Sequence, residues 1–105
     1  MSLTVILSSV AEMELQESYE WYEYKQAGLG ERFLGQIEAS INAIVLNPEL
    51  YPIKIRSFRQ YVVSKFPYII VYELISEQRL IHILHIFHTD RNPVRITKNL
   101  GNYDS

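Results

Sequence analysis

The spacing of apolar residues changes near residue 50. Before it, apolar positions recur every three or four residues; after it, β-branched and aromatic residues crowd into short runs. Leu3 to Leu7 alternates weakly and predicts a short strand. Ser8 or Ser9 then offers an N-cap, and Ser9 with Glu12 fits a capping box. A helix follows over about Val10 to Lys25, with Ala11, Leu15, Ser18, Tyr19 and Tyr22 as its inward stripe. The glutamates at 12, 14, 17, 20 and 23 are expected mostly on its flanks and outer face. Ala27-Gly28-Leu29-Gly30 breaks this helix. A second helix runs from about Leu29 to Leu46, with Leu29, Phe33, Ile37, Ile41, Ile44 and Val45 on its apolar face. Asn47-Pro48 stops it, because proline lacks an amide proton and restricts the residue before it.

Three strands are expected beyond: one holding Tyr61-Val62-Val63, then Tyr68–Ile75, then Leu80–Phe87. The last reads LIHILHIF, apolar on both parities, as in a central strand covered on both faces. The order β-α-α-β-β-β predicts an α+β fold. A helical hairpin should pack on one face of a mostly antiparallel twisted sheet, leaving the other face for a partner. The 105 residues suit a single domain, with a loosely attached tail from about residue 96.

Composition narrows the chemistry. The chain has no cysteine, which excludes disulfides, a thiolate nucleophile and Cys-ligated metals. No apolar run approaches the roughly 20 residues of a membrane span, and a cytoplasmic location is expected. The net charge of −2 hides an asymmetry. Residues 1–50 carry eight acids and two bases, whereas residues 51–105 carry eight bases and four acids. Such a division points to a basic binding surface in the second half.

Candidate chemistry is sparse. On one strand His82 and His88 point opposite to His85, so the three histidines cannot converge on a metal. No metal or cofactor is expected. His85 shares its parity with Ile81, Ile83 and Phe87 and reads as a buried, hydrogen-bonded core residue. His88 ends its strand ahead of Thr89-Asp90-Arg91-Asn92-Pro93, where it could serve as a general acid or base. Arg59, Tyr61, Val63 and Lys65 share a strand face suited to phosphate contact and base stacking, or to an acidic protein segment. Lys54, Arg56, Arg91 and Arg95 could extend it. Trp21 and Tyr24 are offset from the core stripe of the first helix and suit a protein contact. No phosphate-binding loop, dinucleotide fingerprint or nucleophile elbow occurs.

An ordered set of motifs carries a resemblance over about Leu7 to Arg95. It begins with Ala11-x-x-x-Leu15 and Trp21-Tyr22-Glu23. Gly28-Leu29-Gly30-x-Arg32-Phe33-Leu34 follows, then Ile44-x-x-Asn47-Pro48-Glu49-x-Tyr51-Pro52. Arg56, Phe66-Pro67-Tyr68, Val71-Tyr72-Glu73 and His88-x-x-Arg91-Asn92-Pro93 complete it. The chain resembles the RelE/ParE superfamily of toxins from type II toxin–antitoxin systems, on the ParE-like (plasmid stabilisation) side. The resemblance implies a cognate antitoxin that neutralises the toxin. It implies DNA gyrase as the target of a non-catalytic inhibitor, or the ribosome and mRNA as targets of a RelE-type endoribonuclease. A module that binds antitoxin and has lost toxicity is a third reading.

Carried over residue by residue, Arg56, Arg59 and Lys65 match basic sheet positions, and His88 and Arg91 match the strand-end motif. Asp90 stands where the family usually has a second base, which dilutes the positive charge of that loop. The modest net charge also departs from the strongly basic nucleases. Inhibition by binding therefore ranks first. The apolar surface that receives the antitoxin should be partly exposed, so self-association through it or through an open sheet edge is expected.

Overall fold

A computed structural model describes residues 3–90 of the chain. Two helices lie on a five-stranded sheet of order β1-β5-β4-β3-β2. The strands are β1 (Thr4–Leu7), β2 (Ile53–Ile55), β3 (Phe58–Val62), β4 (Tyr68–Ile75) and β5 (Leu80–His88). The helices are α1 (Ser9–Lys25) and α2 (Leu29–Leu46). Only the β1–β5 pair is parallel, so the sheet is mostly antiparallel. This is the expected α+β architecture, with one short edge strand, β2, added before the three strands read from the sequence. Three residues of mixed polarity, Ile53-Lys54-Ile55, leave too little pattern to announce it.

Ser8, not Ser9, caps α1: its hydroxyl accepts the Ala11 N–H at 3.0 Å. Gly28 takes a left-handed φ of 89° between the helices, a conformation that costs glycine least. Gly30 is fully packed. A Cβ there would stand 2.8 Å from both the Tyr19 carbonyl and the Glu23 carboxylate. That carboxylate also accepts the N–H groups of Gly28 and Gly30, both at 2.9 Å, satisfying donors at the start of α2.

The main core lies between the helices and the sheet. Phe33, Ile37 and Ile44 of α2 meet Ile70 and Tyr72 of β4 and Ile81, Ile83 and Ile86 of β5. The pairing of β4 with β5 slips between Val71, opposite His85, and Tyr72, opposite Ile83. Leu84 is the additional residue of this β-bulge. Parity changes there. Ile81 and Ile83 face the helices before the bulge and Ile86 faces them after it, while Leu84 and Phe87 join a second cluster with Phe58 and Val71. Phe87 thus faces away from Ile81 and Ile83, contrary to the uniform alternation expected from sequence.

Candidate functional site

The basic residues of the second half do not form the single strand face expected. Arg59 pairs with Tyr72 and Tyr61 with Ile70, and both partners belong to the core beneath the helices. Arg59 and Tyr61 are therefore turned toward the helix-covered side. Arg59 Nη1 donates to the carbonyls of Tyr51 at 2.7 Å and Glu49 at 3.1 Å. Tyr61 meets Tyr51 edge to face at 4.8 Å. The physical reason is the register of β3, which gives this parity to the core and leaves Gln60 and Val62 on the opposite face. The centre of that opposite face holds the buried residues Phe58, Val71, Leu84 and Phe87, and is apolar, not basic.

The remaining bases are dispersed. Lys54 is exposed on β2, and Arg56 is exposed in the β2–β3 turn at φ 52°. Lys65 is exposed in the β3–β4 turn at φ 73°. Arg91 and Arg95, with the tail from residue 96, lie outside the described residues.

His88 lies on the helix side of the sheet, at the end of β5. Its Nδ1 accepts the backbone N–H of Asp90 at 3.0 Å, which leaves Nε2 to carry the proton of the neutral ring. The Asp90 carboxylate is 3.7 Å from the same nitrogen. The ring meets Tyr68 edge to face at 5.3 Å, and the Tyr68 hydroxyl donates to Ser18 Oγ at 2.9 Å. A cleft of about 330 Å³ opens here, lined by Glu17, Ser18, Trp21, Tyr68 and His88. Trp21 is 55% exposed, with the Lys25 ammonium 4.4 Å from its ring centroid.

Sequence reasoning missed the role of Glu14. This residue is 5% exposed and sits between α1 and β5. Its Oε1 accepts the Ile86 N–H at 2.9 Å, and both carboxylate oxygens lie 3.3 Å from His85 Nδ1. Strand β1 accompanies β5 only as far as Ile83. Beyond it, Ser8 Oγ donates to the Leu84 carbonyl at 2.8 Å, and Glu14 takes the next donor. Helix α1 thus completes the edge of β5 that β1 leaves unpaired. The signal in the sequence was a glutamate three residues beyond Ala11 on the inward stripe. His85 is fully buried and hydrogen-bonded, as expected.

Two larger grooves flank the helical hairpin. The first, about 670 Å³, has Leu7, Leu15 and Leu34 as its apolar lining, with Glu12, Gln16, Tyr19 and Glu31 around them. Tyr19 donates to the Glu31 carboxylate at 3.1 Å, and this bond to an anion holds the phenol pKa above its ordinary value. The second, about 540 Å³, is lined by Leu29, Arg32, Gly35, Gln36, Lys65 and Phe66. The first groove has acids and no base; the second has bases and no acid. Among the described residues, no helix is long and apolar enough to cross a membrane.

Comparison with known proteins agrees with this architecture. Residues 5–93 match the family model described as "ParE toxin of type II toxin-antitoxin system, parDE". The chain is similar to a solved chain of the chromosomal ParDE toxin–antitoxin system of P. aeruginosa, with a TM-score of 0.73 at 13% identity. That match covers 85% of this chain and 98% of the other. A chain of the intact E. coli RelBE toxin–antitoxin complex gives a TM-score of 0.66 at 13% identity, covering 86% of this chain and all (100%) of that one. The isolated E. coli RelE toxin gives 0.64 at 13% identity, covering 94% and 99%. A sequence search of curated proteins finds no significant match.

Proposed function

Because the chain belongs to the ParE toxin family of type II toxin–antitoxin systems, we propose that it inhibits DNA gyrase by binding, without catalysis, and is neutralised by a cognate antitoxin in the cytoplasm. The observation that carries the non-catalytic reading is the surroundings of His88. A ribonuclease site needs cations beside its acid or base to stabilise phosphate charge as it develops. Among the described residues, the His88 cleft is lined by a carboxylate, a hydroxyl and aromatic rings. Lys54, Arg56, Arg59 and Lys65 do not line it. The Nδ1 lone pair of His88 is engaged by the Asp90 N–H, a local bond that suits a loop anchor.

The antitoxin part of the proposal draws on the solved relatives, which include the chromosomal ParDE toxin–antitoxin system of P. aeruginosa and the intact RelBE toxin–antitoxin complex of E. coli. The groove of Leu7, Leu15 and Leu34 offers an apolar lining on which a partner segment could bury side chains. The test is a supercoiling assay with purified gyrase and purified chain, paired with pulse-labelling of cells expressing the chain alone. Supercoiling should fall with added chain, and thymidine incorporation should fall before amino-acid incorporation. The His88→Ala variant should stay toxic. Unimpaired gyrase together with His88-dependent mRNA cleavage would move the assignment to the RelE-type nuclease. Unharmed cells would leave the non-toxic module.

A further inference from the structure

The basic groove between α2 and the β3–β4 turn has no place in the proposed function. We propose that it binds a nucleoside monophosphate unit, with the phosphate between Arg32 and Lys65 and the base against Phe66 above Gly35. Four observations converge on this ligand. The two cations come from different elements, Arg32 from α2 and Lys65 from the turn, yet line one cavity of about 540 Å³ that contains no acid. That volume lies within the range of roughly 300–1,000 Å³ typical of small-ligand sites.

Phe66 supplies an aromatic wall. Its ring is held edge-on by Tyr22, at 5.1 Å and 74°, and by Phe33, at 5.4 Å and 79°. A ring fixed in this way loses little freedom when a base packs on it. Gly35 leaves the helix surface bare, since a Cβ added there would meet nothing within 4 Å. A flat heterocycle could therefore lie close to the backbone of α2. Gln36 is half-buried beside it and offers both an acceptor and donors to a base edge. An acidic peptide would use the cations but would leave the aromatic wall, the bare surface and the amide without a purpose.

The test is titration of the full chain with AMP, inorganic phosphate, adenosine and a single-stranded RNA tetranucleotide, read by calorimetry and amide chemical shifts. AMP should bind at least about tenfold more tightly than phosphate or adenosine alone, because each half recruits only part of the site. Arg32→Gln and Lys65→Gln should each weaken AMP by about tenfold, the scale of one charge-assisted contact. Gly35→Leu should abolish AMP binding while leaving the melting temperature equal or higher, since it fills open space and replaces a helical glycine. Tighter binding of the tetranucleotide, with the same dependence on Arg32 and Lys65, would identify an RNA chain as the source of the nucleotide; weaker binding would identify the free nucleotide. The proposal is overturned if AMP binds no better than phosphate, or if Gly35→Leu binds AMP normally.

Discussion

Arg59 and Tyr72 stand opposite each other on β3 and β4, and their side chains hold one loop from two sides. Tyr72 donates to the Pro48 carbonyl at 2.7 Å, while Arg59 donates to the Glu49 and Tyr51 carbonyls. The connection from α2 to β2 is thereby fixed to the sheet through three backbone oxygens. We expect Arg59→Met to destabilise the fold by about 1–3 kcal/mol, the cost of leaving acceptors short of a charged donor. Amide exchange of residues 49–53 should accelerate more than that of β5. Uniform exchange across both regions would show that Arg59 does not hold the loop.

Glu14 provides a second test. Glu14→Ala strands the Ile86 N–H and removes the carboxylate beside a buried histidine. It should cost at least about 2 kcal/mol by urea denaturation. Glu14→Gln keeps an oxygen for Ile86 and should cost less. Equal losses in the two variants would place the stabilisation in the charge and not in the capped strand edge.

The glycines of α2 should separate cleanly. Gly30→Ala forces a methyl group into the Tyr19 carbonyl and the Glu23 carboxylate. A loss of about 1–3 kcal/mol is expected from this overpacking. Gly35→Ala meets open space and should gain up to about 1 kcal/mol from helix propensity. Thermal unfolding of the two variants side by side decides it, and melting temperatures moving in the same direction would contradict the packing described.

Alkaline pH should reveal the buried phenols. Burial pushes Tyr72 and Tyr22 up to about 12, whereas an unfolded tyrosine titrates near 10. The folded chain therefore holds its phenolic protons where the unfolded chain releases them. Stability from this source is intact below about pH 10 and is lost as pH rises through about 12. Urea midpoints measured from pH 9 to 12 should fall across that window. Tyr72→Phe should flatten the fall, and an unchanged slope would exclude Tyr72 as a contributor.

Much of the fold was legible because its helices declare themselves. Phe33, Ile37, Ile41 and Ile44 trace one face of α2, Asn47-Pro48 ends it, and the observed bounds agree. Strand faces were harder to read. A strand of mixed residues such as Phe58-Arg59-Gln60-Tyr61-Val62 has no unambiguous inward parity, and a hydrogen-bonded arginine can occupy the covered side. A glutamate on an amphipathic helix ordinarily faces water, and only the end of β1 at Leu7 gives Glu14 a buried donor to satisfy. The groove shared by Arg32 and Lys65 joins residues 33 positions apart in sequence, which no local pattern relates.

The bulge at Leu84 also bears on how this strand can vary. Because one unpaired residue divides β5, the stretches Leu80–Ile83 and His85–His88 have independent inward–outward phases. Deleting Leu84 would close the bulge into a regular ladder, with Ile83 opposite Tyr72, His85 opposite Val71 and Ile86 still opposite Ile70 on the helix side. The loss would fall on the other face, where Leu84 packs with Phe58, Val71 and Phe87. When homologous strands are aligned here, a one-residue gap at Leu84 therefore keeps the helix-side core in phase and empties one place in the second cluster, whereas a gap elsewhere in β5 turns the residues beyond it to the wrong face.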